Sequence, residues 1–75
     1  MQIVFTEHAA AQLTPRSEIS VSMIISTVRD PDDLQRSYRD RKVYTRMLDD
    51  VKLWVVTTQE HDKIIVITQY IEEAV

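Results

Sequence analysis

Arg36, Arg39, Arg41, Lys42 and Arg46 place five of the chain's nine basic residues within eleven consecutive positions, interleaved with Tyr38 and Tyr44. Cations set among aromatic rings can neutralise phosphates and stack on bases, the two contacts a single-stranded nucleic acid offers. Asp40 is the only acid in this window, which is therefore about four units positive, and the rest of the chain is about seven negative, for a formal net charge of -3. Sign asymmetry of this kind suggests a localised interaction surface, and Arg36, Arg39, Arg41, Lys42 and Trp54 are its candidate RNA-contacting residues. The competing reading is a solvated strand whose arginines are paired with neighbouring aspartates.

Metal-free RNA cleavage would require a base for the 2′-hydroxyl, a cation for the developing phosphorane charge and an acid for the leaving oxygen. His8, Arg46, Tyr44 and Tyr70 are the residue types that could fill those roles. Histidine is the usual general base near neutral pH, which singles out His8, although a histidine at the second position of a helix is equally a surface residue. His61, between Glu60 and Asp62 in a turn, reads as exposed. With two histidines and no cysteine, a zinc site would need carboxylates at an unusual spacing, so no metal is expected. Glycine is absent, which removes every phosphate-cradling glycine loop, and no cofactor is expected. The hydroxyls of Ser17, Ser20 and Ser22 suit turns and caps, and Asp32-Asp33 and Glu72-Glu73 suit turn and tail solvation.

The elements that must carry these residues follow from periodicity. Gln2 to Phe5 reads as a short apolar strand. Thr6 offers an N-cap hydroxyl to a helix with Glu7 in its first turn, running to about Leu13 and stopped by Thr14-Pro15. Ser20 caps a second helix whose apolar positions Val21, Ile24, Ile25 and Val28 form one face, and Asp30-Pro31 ends it. From Leu34 the texture turns β-branched and aromatic, giving strands over Leu34–Tyr38, Lys42–Leu48, Val51–Thr58 and Lys63–Tyr70. Without glycine or asparagine, left-handed turn positions fall to aspartate, at Asp32-Asp33, Asp49-Asp50 and Asp62.

Register decides which side chains share a face. A two-residue turn at Asp49-Asp50 opposes Arg46 to Leu53. A three-residue turn centred on Asp50 opposes Arg46 to Trp54 and Tyr44 to Val56, directs Val43, Thr45, Met47, Leu53 and Val55 to the helices, and sorts polar from apolar better. The second is preferred. It gathers Tyr44, Arg46, Lys52 and Trp54 on the sheet face away from the helices, where Trp54 is core, dimer contact or base-stacking platform.

A chain of 75 residues makes one small domain, 1–75, which buries only roughly 60% of the surface its unfolded form exposes. Leu53-Trp54-Val55-Val56 and Ile64-Ile65-Val66-Ile67 are nearly continuous apolar runs of the kind found in central strands covered on both faces. Two short helices cover one face, so a second copy of the chain is expected to close the other as a homodimer. The lack of cysteine fits a cytoplasmic setting. No apolar run reaches the length of a membrane span and no signal peptide is evident, so no membrane partner is expected.

The run Phe5-Thr6-Glu7-His8-Ala9, Arg16, Ile19-Ser20 opening a helix that ends at Asp30-Pro31-Asp32, Tyr44-x-Arg46, Leu53-x-Val55-Val56 and Val66-Ile67-Thr68 together resemble a small bacterial domain family of unknown function related to the RelE, ParE and BrnT toxins. The resemblance covers nearly the whole chain. It implies a β-α-α-β-β-β(-β) α+β fold, with an antiparallel sheet covered on one face by two helices. It also implies metal-free cleavage of free or ribosome-associated RNA, with Arg46 as the sheet-borne arginine, Tyr70 as the tyrosine near the C-terminus and His8 as the histidine of the first helix. A cognate antitoxin protein would be a natural partner. The leading functional expectation is thus a toxin-like RNA-binding domain with endoribonuclease activity open. The alternative is a non-catalytic protein-interaction or dimerisation module acting through the sheet.

Overall fold

The computed structural model describes residues 1–14 and 17–73. Its element order is β1 (Gln2–Phe5), α1 (Glu7–Ala11), α2 (Val21–Arg29), β2 (Asp33–Arg36), a 3-10 turn (Tyr38–Asp40), β3 (Lys42–Leu48), β4 (Val51–Glu60) and β5 (Lys63–Glu73). The five strands form one mixed sheet in the order β1-β5-β4-β3-β2. The meander from β2 to β5 is antiparallel, as expected, whereas β1 adds to β5 in parallel. This corrects the expectation of an all-antiparallel sheet. The intervening helices carry the chain across one face, so β2 joins the far edge rather than pairing with β1.

Local chemistry explains the helices. The Thr6 side chain accepts the Ala9 amide at 3.1 Å, satisfying one of the donors a helix start leaves unpaired. The Ser20 hydroxyl accepts the Met23 amide at 3.2 Å at the start of α2. Helix α1 ends at Ala11, short of Leu13, and the stop assigned to Pro15, like the Arg16 of the family resemblance, lies outside the described residues. Each strand of the meander except β3 differs from its expected span: β2 is Asp33–Arg36 rather than Leu34–Tyr38, and β4 and β5 extend to Glu60 and Glu73.

Both helices pack on the same face, α1 over β1 and β5 and α2 over β3 and β4. The core between them contains Ala9, Ile24, Val28, Tyr44, Leu53, Val55, Ile64 and Val66, with Ile3 and Phe5 packed against it. Gln69, also buried, donates from Nε2 to the Ala9 carbonyl at 3.0 Å and ties α1 to β5. At the far edge, Asp32 covers the part of β3 that β2 leaves unpaired: its amide donates to the Thr45 carbonyl at 2.8 Å, and its Oδ2 accepts the Met47 amide at 2.7 Å.

The β3–β4 hairpin corrects the preferred register. Leu48 opposes Val51, so Asp49-Asp50 is a two-residue turn, with Arg46 opposite Leu53, Tyr44 opposite Val55 and Thr45 opposite Trp54. Asp49 takes φ 55°, the left-handed geometry that short hairpin loops favour because it matches strand twist. Every β3 side chain thereby changes face relative to the three-residue reading. Tyr44 and Arg46 face the helices, and Val43, Thr45 and Met47 face away, whereas Leu53 and Val55 point to the helices as expected. The other left-handed residues are Arg39, Asp40 and His61, so Asp32, Asp33 and Asp62 do not serve as the left-handed turn positions anticipated for them.

Candidate functional site

The four candidate catalytic side chains are not gathered at one place. His8 is exposed on α1, which lies over β1 and β5. Tyr44 is buried, at 7% exposure, in the core below the helices, and desolvation raises its phenol pKa above the ordinary tyrosine value. Tyr70 projects from the opposite face of the sheet, stacked on Trp54 with ring centroids 5.7 Å apart and planes 9° apart. Arg46, expected to point outward beside Trp54, instead reaches α2. Its Nη1 donates to Ser26 Oγ at 2.8 Å and to the Ser26 carbonyl at 3.3 Å, and lies 3.7 Å from Asp30 Oδ2. The guanidinium is a second donor to the Ser26 carbonyl, which also accepts the Asp30 amide at 2.9 Å, so Arg46 secures the end of α2 to β3.

The remaining cations do assemble. Arg36 and Lys42 are cross-strand neighbours on β2 and β3, and both lie on the sheet face that carries the helices. A cleft of about 320 Å³ opens beside them, lined by Arg36, Ser37, Asp40, Lys42 and Gln59. Lys42 Nζ donates to Gln59 Oε1 at 3.0 Å, which fixes the ammonium at the cleft wall. The loop between the strands is closed by the Ser37 amide on the Arg41 carbonyl at 2.6 Å and the Arg41 amide on the Tyr38 carbonyl at 3.4 Å. Within it, Arg39 and Asp40 hold φ of 61° and 59°. Left-handed geometry costs an L-residue about 1–2 kcal/mol, and strain of this kind concentrates where a loop is held to present side chains. Arg39 lies over the Tyr38 ring, 5.3 Å from its centroid, and Tyr38 is 75% exposed.

Asp40 shares the cleft, but among the described residues no carboxylate lies within 4.0 Å of these cations. Among the described residues the one ion pair within 4.0 Å is Arg46–Asp30, so Arg36, Arg39, Arg41 and Lys42 are not consumed by the neighbouring aspartates. Ser37 and Gln59 are lining residues that the sequence reading missed. The two-residue hairpin turn was the available signal for Gln59: it puts Thr57 opposite Lys42 and Gln59 next along the same face. Ser37 had no comparable signal. Among the described residues no group of three or more histidine, cysteine, aspartate or glutamate side chains is placed to hold a metal ion.

No protein-family model, curated protein or solved structure matches the chain. Its chemistry is therefore read from its own surfaces.

The second such surface is the sheet face opposite the helices. Val4, Val43, Trp54, Val56, Ile65 and Tyr70 lie on it by register, and Lys52 Nζ is 4.6 Å from the centroid of the Trp54 ring. Trp54, expected on this face, is there. Its Nε1 and Thr45 Oγ1, opposed across β4 and β3, are occluded without a hydrogen-bond partner. With Tyr70 and Lys52 already on its ring, Trp54 is poorly disposed to take a stacked base. No described helix covers this face, and none is long and apolar enough to cross a membrane.

Proposed function

We propose that the chain binds single-stranded RNA through the cationic corner formed by Arg36, Arg39, Arg41 and Lys42. The observation that carries this reading is that Arg36 and Lys42 line one cleft, with Arg39 and Arg41 on the loop that joins their strands, and that among the described residues no carboxylate lies within 4.0 Å of any of the four. Unpaired cations keep their counterions until a phosphate displaces them, and that release drives polyanion binding even for a protein of negative net charge. Tyr38 supplies an exposed ring beside Arg39 for an unstacked base. Ser37 and Gln59 add neutral hydrogen-bonding groups at the cleft wall. A corner fits a flexible single strand better than a duplex, whose phosphates would demand a longer cationic track.

The reading is binding without an assigned cleavage step, because His8, Tyr44, Arg46 and Tyr70 do not share a site. The sequence resemblance to the RelE, ParE and BrnT toxins supports RNA as the polyanion and a cytoplasmic setting. The experiment is fluorescence anisotropy of a labelled single-stranded oligoribonucleotide at low and rising salt. Binding that weakens steeply with salt, and that Arg36→Ala and Lys42→Ala reduce, supports the assignment. No binding at low salt, or equal loss from Lys63→Ala on the opposite face of the sheet, overturns it.

A further inference from the structure

We infer that the uncovered sheet face is a homodimer interface, in which two copies pack face to face about a two-fold axis running parallel to the strands between β4 and β5. Three features of the face select a second copy as its occupant. The first is size. The five strands, of four to eleven residues, at roughly 3.3 Å per residue and about 4.8 Å spacing give a face on the order of 570 Å² in projection, near the roughly 600 Å² per partner at the lower end of standard stable interfaces.

The second is the position of its aromatic residues. β4 is the middle strand of the sheet, and Trp54 and Val56 lie near its centre. An aromatic anchor at the centre of an apolar patch is where binding energy concentrates. The partner's rings would cover polar atoms, Trp54 Nε1 and Thr45 Oγ1, that are already withdrawn from water. Their desolvation therefore adds no new cost on association.

The third is charge. Lys52 opposes Glu72, Trp54 opposes Tyr70 and Glu60 opposes Lys63 across β4 and β5. A two-fold axis between those strands superposes each strand on the other strand of the second copy, at equal height. Lys52 then meets the partner's Glu72, Trp54 meets the partner's Tyr70, and Lys63 meets the partner's Glu60. Each contact occurs twice, and every charged one is between opposite signs. This match belongs to the arrangement of two copies and would be accidental for an unrelated partner. Sheets packed this way keep their strands within about 30° of each other. The cationic corner lies on the helix-bearing face and stays free, so the inference is independent of the RNA reading.

The test uses charge swaps and native mass spectrometry or sedimentation of the full chain without RNA. Wild type should sediment at twice the 8.8 kDa chain mass. Lys52→Glu alone sets two acids against each other at two symmetric contacts, and Glu72→Lys alone does the same with bases, so each should raise the dimer Kd about tenfold or more. A mixture of the two variants, one labelled with nitrogen-15, should form a heterodimer in preference to either homodimer, because every contact between them is again complementary. That preference cannot arise from a change in the stability of either monomer. Should a swap impair folding, Met47→Glu and Tyr70→Glu, at positions 45% and 48% exposed, provide dimer-disrupting changes at little cost to the fold. A monomeric wild type at micromolar to millimolar concentration overturns the inference, as does a dimer that survives these substitutions or a mixture without heterodimer preference.

Discussion

Arg46 Nη1 donates to both the side-chain oxygen and the carbonyl of Ser26, at 2.8 and 3.3 Å, joining the middle of β3 to the last turns of α2. One guanidinium thus ties the strand to a helix end whose Ser26 carbonyl also accepts the Asp30 amide at 2.9 Å. The same arginine is the one that the resemblance to the RelE, ParE and BrnT toxins implied as the sheet-borne catalytic cation. Its position between strand and helix gives it a packing role.

The first prediction follows directly. Arg46→Ala should destabilise the fold by about 1–2 kcal/mol, since hydrogen bonds to charged groups contribute up to about 3 and this side chain retains solvent screening. Its side chain is 30% exposed. In a domain of this size that loss lowers Tm by roughly 5–15 °C. RNA affinity, measured well below the melting temperature, should stay near wild type. A large affinity loss with an unchanged Tm would return Arg46 to the binding surface.

Much of the fold was legible because its signals are local. Thr6 and Ser20 cap the helices by the chemistry that marks them in the sequence, and β1 and β3 fall on their expected residues. The parallel pairing of β1 with β5 was not legible, since no local pattern in Gln2–Phe5 distinguishes one neighbour from another. The composition of the candidate site turns on the hairpin between β3 and β4. A two-residue rather than three-residue turn at Asp49-Asp50 moved Tyr44 and Arg46 to the helices, and Val43, Thr45 and Met47 away from them. Arg46 looked polar enough to belong outside. Its partner, Ser26, lies twenty positions away on a helix, and alternation along a strand contains no information about that contact.

A second prediction concerns the loop. Arg39 holds φ 61°, a geometry that costs about 1–2 kcal/mol for an L-residue and nothing for glycine. Against this relief stands the greater freedom of glycine in the unfolded chain, on the order of 0.4–1 kcal/mol. Arg39→Gly should therefore leave Tm unchanged or slightly raised, while Arg39→Val lowers it, because a β-branched residue tolerates this region poorly. Thermal unfolding of the two variants checks the strain, and a glycine variant that melts well below wild type would refute it.

Tyr44 gives a pH dependence. Burial raises its pKa in the folded state, so the unfolded chain ionises first as pH rises past the ordinary tyrosine value of about 10. Above that pH the unfolded state binds fewer protons than the folded one, and stability falls until the folded phenol also ionises. Below it the tyrosine contributes no pH slope. Tyr44→Phe should remove this alkaline component, seen as a smaller drop in denaturation midpoint between neutral and strongly alkaline pH. Equal drops in variant and wild type would assign the effect elsewhere.

The last prediction measures the corner itself. Each phosphate neutralised on a single strand contributes about 0.7 to the slope of log affinity against log salt. If Arg36, Arg39, Arg41 and Lys42 each meet one phosphate, the wild-type slope should lie near three, and each single alanine variant should lower it by roughly 0.7. Arg36→Ala and Lys42→Ala are the decisive pair, because they line the cleft as cross-strand neighbours. Lys42→Arg should preserve the slope, since charge rather than shape sets counterion release. Gln59→Ala should leave the slope intact but weaken affinity, because it frees the Lys42 ammonium that Gln59 Oε1 holds at 3.0 Å. His8→Ala, on the helix over the opposite edge of the sheet, should change neither. A slope unaltered by Arg36→Ala and Lys42→Ala would show that the polyanion binds elsewhere, and a slope reduced by His8→Ala would bring α1 into the site.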